Sequence, residues 1–428
     1  MKSRFVVAAI AALVLVSGAA FAQEQVGAIQ GTVTDDAGQA LPGATVEAVG
    51  PAGTLVSVTD TNGTYRFPRL PVGTYTVAAK LSGFVTTESE GVRLSLGQTL
   101  TMNFTLRSGQ FAEAITVAAD QVQIDVKNSA TAMSIRAEDL ELLPKGRDFL
   151  TVVSQAAGTS DENMAGGITV DGASGSENRY IIDGVDTTDP QDGLSGQNMI
   201  LDVLDEVQVK SAGYAAEFGG SLGGVINAIT KPGGNDFHGQ VGVYYTDSAW
   251  AGDERPVPYE SNCPPEGDCY IYYDKDDQTR IEPGFQIGGP VLRDRLWFFL
   301  AYQPAFRDID RTPMGWDGSV NQKITDQYLI ANLKGNLGNN FLYKLALNFS
   351  PQEVEGTLPA RDGSTPLDSD LSVDNEYPTE SYSLYADYIL SNNFLMSGRL
   401  GRYATDSQTS GVDTIARYYF RNGNICTL

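Results

Sequence analysis

Short runs of alternating apolar and polar side chains open the chain's foldable part, at residues 29–34, 44–49, 55–59, 64–67, 74–81 and 100–106. Asp35-Asp36-Ala37-Gly38, Asn62-Gly63 and Pro71-Val72-Gly73 lie between them. Each of these supplies a residue that tolerates positive φ or pre-sets a turn. Six such runs in so short a stretch predict a β-sandwich over residues 23–110.

From residue 237 the alternation returns in longer segments. Phe341, Tyr343, Leu345, Leu347 and Phe349 are apolar, with Lys344, Ala346 and Asn348 between them. Tyr382, Leu384, Ala386, Tyr388 and Leu390 alternate with Ser381, Ser383 and Asp387, and Val241, Val243 and Tyr245 with Gln240 and Thr246. Such segments have about the 9–11 residues that a strand needs to cross a bilayer at a tilt. Seven strands are predicted, at 237–247, 283–291, 296–306, 326–334, 341–349, 381–390 and 394–404. A soluble sandwich alternates equally well, so the connections decide. Those at 292–295, 335–340 and 391–393 are short, and those at 248–282, 307–325 and 350–380 are long. Short turns at one end and long loops at the other are the mark of an outer-membrane barrel. Tyr244, Tyr245, Trp297, Phe306, Phe341 and Tyr403, near strand ends, fit interfacial girdles. Seven strands do not close a barrel, and Thr427-Leu428 fall inside an eighth, so the sequence reads as an N-terminal fragment.

Residues 111–236 follow neither pattern. Ala137-Glu138-Asp139-Leu140 opens a helical turn within 134–158 and Pro144 stops it, after which short strands at 167–170, 179–182, 206–210 and 224–230 are separated by Gly and Asp. This predicts a compact α+β domain directly before the first barrel strand. The fold class is mainly β: sandwich, α+β domain, then an incomplete transmembrane antiparallel β-barrel over 237–428.

Composition narrows the chemistry. Residues 1–22 read as a signal peptide, with Lys2 and Arg4, an apolar run at 5–16 and Ala20-Phe21-Ala22 for cleavage. Among the 428 residues, 53 Asp and Glu against 29 Lys and Arg give a formal net charge of −24, which repels nucleic acid. The middle region is the acidic one, with 20 acids and 7 bases. A single histidine, His238, excludes zinc sites built on paired His, and no acid/base pair of carboxylates is placed for hydrolysis. No catalytic residue and no cofactor is expected. Cys263 and Cys269 flank Pro264-Pro265-Glu266-Gly267-Asp268 in a long loop; in an exported chain they form a small-loop disulfide or, alternatively, a soft-metal pair, leaving Cys426 odd. Asp183, Asp186, Asp189 and Asp192, spaced by three, have the oxygen chemistry of a calcium site, but Asp beside Gly and Pro more often marks turns.

Three stretches resemble known families. Gly31-Thr32-Val33-Thr34-Asp35, Leu41-Pro42-Gly43-Ala44-Thr45-Val46, Thr59-Asp60-Thr61-Asn62-Gly63-Thr64-Tyr65-Arg66-Phe67 and Leu70-Pro71-Val72-Gly73-Thr74-Tyr75 resemble the carboxypeptidase regulatory-like domain, which implies a prealbumin-like or carbohydrate-binding-like sandwich without peptidase activity. Tyr180-Ile181-Ile182-Asp183-Gly184-Val185 and the run from Tyr214 through Phe218, Gly219, Gly220, Gly223, Gly224 and Asn227 to Lys231 resemble the plug of TonB-dependent outer-membrane receptors. The 284–299 stretch resembles the first hairpin of the Oar-like barrel subfamily. The glycines of the plug run let backbone pass close to backbone, and no Gly-Lys-Ser/Thr follows to make a phosphate loop.

The resemblance implies a transporter in the outer membrane of a Gram-negative-type bacterium, with the sandwich in the periplasm. Its partners are outer-membrane lipid, an extracellular substrate of unspecified class, and TonB, which captures a short box by strand addition. Glu113, Ala114, Ile115, Thr116, Val117 and Ala118 have the position and the β-prone character of that box; the alternative is that they open the plug's sheet. A surface adhesin or glycan-docking receptor anchored by the same barrel is the other function these features allow.

Overall fold

A computed structural model describes residues 26–51, 53–109, 115–118, 130–136, 139, 146–147, 149–162, 166–253, 255–258, 270–338, 340–365, 371–391, 394–411, 418–421 and 424–427. The sandwich contains β1 (Gly27–Asp35), β2 (Thr45–Gly50), β3 (Gly53–Val58), β4 (Thr64–Leu70), β5 (Gly73–Lys80), β6 (Thr87–Leu94), β7 (Thr99–Thr101) and β8 (Phe104–Leu106). One sheet runs β4-β1-β7 with β8 also on β1; the other runs β3-β2-β5-β6-β9, where β9 is Ile115–Ala118. Ile29, Val46, Tyr65, Phe67, Tyr75, Val77 and Leu100 fill the space between the sheets, as their period-2 positions require. The run expected at 100–106 is two strands. The strand at 87–94 is one that alternation did not flag: Gly91 sits at φ +70 and shifts the inward set from Thr87 and Ser89 to Val92 and Leu94. The backbone of 115–118 joins the sandwich sheet, parallel to β6, rather than opening the plug's sheet.

The α+β domain contains β10 (Thr131–Arg136), α1 (Phe149–Val153), β11 (Thr159–Asp161), β12 (Ile168–Val170), β13 (Arg179–Ile182), β14 (Val185–Asp186), β15 (Leu204–Ala212) and β16 (Val225–Thr230). Its main sheet has the order β10-β15-β16-β13-β14. Residues 134–136, expected to begin a helical segment, are strand because Ser134, Ile135 and Arg136 pair with Gln208, Val207 and Glu206.

Next come β17 (His238–Asp247), β18 (Val257–Pro258), β19 (Tyr270–Ile271), β20 (Asp277–Leu292), β21 (Leu296–Arg311), β22 (Val320–Leu337), β23 (Phe341–Phe349), β24 (Gln352–Glu355), β25 (Asp374–Tyr377), β26 (Thr379–Ser391), β27 (Phe394–Thr405) and β28 (Gln408–Ser410). The seven expected strands form one antiparallel sheet, β17-β20-β21-β22-β23-β26-β27. β20, β21 and β22 run to 16, 16 and 18 residues, well past the roughly 25 Å apolar band of such barrels. Most of the loop expected at 307–325 is therefore strand. Its side chains, such as Arg307, Asp308, Asp310 and Lys323, are polar on both faces, so alternation is silent there while the ladder continues.

The inner face of the barrel sheet packs on the plug. Phe299, Ala301, Ala305, Tyr328 and Ile330 share one core with Phe149, Ile182, Ile200, Leu204 and Ile226. The outer face carries Val241, Val243, Ile281, Phe285, Ile287, Leu384 and Leu400, all exposed. An apolar band of that size is stable in lipid and a liability in water.

Candidate functional site

The two halves of the plug motif, far apart in sequence, lie side by side. β13 and β16 pair in parallel, with Tyr180 opposite Ile226 and Ile181 opposite Asn227, whose side chain is fully buried. The run that feeds β16 is held by side-chain hydrogen bonds. Gly224 N–H donates to Asn178 Oδ1 at 2.7 Å, and Asn178 Nδ2 donates to the Ile168 carbonyl at 2.6 Å. A Cβ on Gly223 would stand 2.6 Å from Asn178 Oδ1, and one on Gly224 2.8 Å from both Val170 methyls. Close approach, not unusual φ, is what these two positions require. Tyr214 donates its hydroxyl to the Gly223 carbonyl at 2.9 Å. Phe218 is buried against Ile181 and Val225, with the Lys210 ammonium 4.0 Å from its ring centre, and the Gly219 carbonyl accepts from Arg179.

Asp183 and Gly184 form the two-residue turn between β13 and β14, at φ +47 and +74. Paired positive φ values are what a tight hairpin of this kind needs, and Asp-Gly is a favoured sequence for it. The turn aims the Asp183 carboxylate, 1% exposed, at the barrel wall. Lys344 Nζ donates to Oδ1 at 2.6 Å, Thr230 Oγ1 donates to Oδ2 at 2.7 Å, and Thr230 N–H donates to Oδ1 at 3.1 Å. Asn348 Nδ2 adds a longer contact at 3.3 Å. Asn332 Nδ2 donates to Thr230 Oγ1 and to the Lys231 carbonyl, both at 2.7 Å. Burial drives the Asp183 carboxyl up, but the Lys344 charge and the Lys344 and Thr230 hydrogen bonds outweigh it and hold the group below the usual carboxylate range.

Other polar pairs extend this seat around the wall. Ser381 Oγ donates to Gln197 Oε1 at 2.7 Å, Tyr403 hydroxyl to the Gly196 carbonyl at 2.8 Å, and Asn198 Nδ2 to Tyr328 hydroxyl at 3.2 Å. Arg147 pairs with Asp202 at 2.6 Å and lies over the Tyr244 ring. A separately folded sheet is thus fastened inside the curved barrel sheet by side chains from β17, β22, β23, β26 and β27.

A family model for the carboxypeptidase regulatory-like domain matches residues 28–107. Over 315 residues the chain is 31% identical to the TonB-dependent transporter Oar of Myxococcus xanthus, a stretch covering 71% of this chain and 29% of that relative. Over those residues the chain is similar to a TonB-dependent transporter. It spans less than a third of that relative's length. Among solved structures, the outer membrane transporter YddB of Escherichia coli is 18% identical, with a TM-score of 0.49 over 63% of this chain and 38% of its own. A ferric enterobactin receptor of Pseudomonas aeruginosa is 17% identical, with a TM-score of 0.46 over 64% and 41%.

The acidic run does not converge. Asp183 faces Lys344; Asp186 pairs with Arg179 and accepts from Thr188; Asp189 and Asp192 accept from the backbone N–H groups of Gln191 and Leu194, as turn-forming Asp side chains do. Among the described residues, no group of three or more His, Cys, Asp or Glu is placed to hold a metal ion. Cys263, Cys269, Glu113 and Ala114 lie outside the described residues, while Ile115, Thr116, Val117 and Ala118 are β9. Sequence reasoning missed the receiving side of the seat: Lys344, Asn348, Asn332, Thr230 and Gln197. The signal was present for Lys344 and Asn348, polar side chains at the inward positions of a strand whose outward positions are all apolar.

Proposed function

We propose that the receptor binds an extracellular substrate at its long loops and plug apex, and imports it with proton-motive force delivered through TonB. The observation that carries this reading is the polar seat around Asp183. A plug meant only to seal would gain as much from continuous apolar packing, since a buried ion pair adds little over apolar residues of the same volume. Polar contacts instead hold the plug in one register and can exchange their partners for water once it shifts. The sandwich lies against the short connections of the barrel, the end such barrels turn to the periplasm, which supports a periplasmic sandwich. The segment of Glu113, Ala114, Ile115, Thr116, Val117 and Ala118 is the proposed box; its capture would rest on main-chain hydrogen bonds.

The test compares spent medium from cells carrying and lacking the gene. A compound removed only by carriers, with removal stopped by a protonophore and by Ile115→Pro, is the expected result. Proline withdraws a backbone donor and fixes φ, so strand addition fails. Removal that survives both treatments overturns the energy coupling. Surface binding of a compound without its removal favours the adhesin or glycan-docking function instead.

A further inference from the structure

β9 is the last strand of its sheet. It pairs in parallel with β6 through Thr87–Ile115, Glu88–Thr116, Ser89–Val117 and Glu90–Ala118, and among the described residues no strand pairs with its other edge. The opposite margin of the same sheet, β3, lies against the barrel, beside Asn340, Leu342, Ile389 and Leu390. Four strand spacings of about 4.8 Å put β9 roughly 19 Å from that margin. Its free edge is thus the one farther from the barrel, and its backbone is already extended.

The sandwich is also tied directly to the plug. Leu96 N–H donates to Glu206 Oε1 at 3.1 Å, Gln208 Nε2 donates to the Leu96 carbonyl at 2.9 Å, and Arg136 donates to Ser95 Oγ at 2.8 Å. Between Ala118 and β10, by contrast, run 12 residues, which extended span up to about 40 Å. A box peeled off β6 would pull on the plug only through those 12 residues.

Resting on the reading of 113–118 as the box, we propose that the periplasmic partner adds its strand to the outer edge of β9 while β9 stays on β6. Sandwich and box are then gripped as one body. The pull enters the plug through the contact of Leu96 with Glu206 and Gln208, not through the connecting chain. A pre-extended strand spares the partner the entropy of ordering it, and an open sheet edge is the usual template for an added strand.

The test is a staple. Glu90→Cys with Ala118→Cys joins two register partners at adjacent-strand spacing, within the Cα range of a disulfide. Binding of a TonB periplasmic domain to the full chain in detergent is measured oxidised and reduced, with each single-cysteine variant as control for the native thiols. The oxidised form is expected to bind within threefold of the reduced form, which is its own folding control. A tenfold or greater loss on oxidation, restored by dithiothreitol, would mean that the strand must leave β6 and overturns the proposal. If the unstapled Ile115→Pro variant binds as tightly as the unaltered chain, the box itself is misplaced, and the proposal falls with it by a different signature.

Discussion

Asp183 combines a left-handed backbone with a buried charge, and both are needed where it sits. The hairpin places its carboxylate on Lys344, whose side chain is 5% exposed. Removing one partner leaves the other charge buried and unpaired. Asp183→Ala is therefore expected to lower the urea midpoint at which the plug becomes protease-sensitive, by the equivalent of about 3–5 kcal/mol. Asp183→Asn combined with Lys344→Met should recover most of that loss, because neither charge of the pair is then left buried without the other. The pH dependence has a definite sign. The folded-state value of Asp183 lies below its ordinary 3.8, so its contribution is present in full above 3.8 and is lost only as pH falls through the lowered value. The plug should stay seated through pH 5, as read by the same protease assay. At Gly224 the constraint is space. Gly224→Ala should cost about 1–3 kcal/mol by pushing a methyl into Val170, and Val170→Ala should restore part of it.

Strands, the next scale up, show how one alternation serves two solvents. In β23, Leu342, Lys344, Ala346 and Asn348 are buried, while Phe341, Tyr343, Leu345, Leu347 and Phe349 point the other way. Leu345→Arg, in the middle of that outer row, is expected to cost about 2–4 kcal/mol and to lower folding yield into lipid vesicles, followed by heat-modifiable gel migration. Lys323→Glu, in the exposed extension of β22, should leave that yield unchanged. The seven strands were legible because apolar side chains recur at every second position on their outward face. β6 was not, because Gly91 breaks the period, nor was β10, whose strand state comes from pairing with β15 and not from its own side chains.

For the whole molecule, the question is how three domains hold together. The sandwich meets the plug through Leu96, packed with Val72 and Ile229, and meets the barrel through Arg69, which pairs with Asp387 at 2.8 Å. Asp387 keeps a second partner, Arg399 at 2.9 Å, so loss of Arg69 leaves no orphaned charge. Leu96→Glu instead sets a carboxylate beside Glu206. It is expected to undock the sandwich, seen as faster proteolysis between residues 107 and 131, without changing the barrel's heat-modifiable migration. Glu206 adds a pH signature: burial pushes its carboxyl above the ordinary 4.5, and bonds from Ser134 and Leu96 only partly counter this. Its contribution to docking is therefore present in full below about 4.5 and lost as pH rises through the raised value. Glu206→Gln should protect that connection at neutral pH and flatten the pH dependence of its cleavage rate.

The sequence by itself determined the order of the three domains, the strands of the barrel and which of their faces is apolar, and the Asp183-Gly184 turn. All of these follow from interactions among neighbours in the chain or from the repeated demand of one solvent. Only the tertiary structure decided that Asp183 would find Lys344, 161 residues away, that Thr230 and Asn332 would complete its shell, and that the strand at 115–118 would lie on the sandwich. A buried charge or an open sheet edge is satisfied by whichever distant group the fold brings within about 3 Å, and local pattern carries no record of that distance.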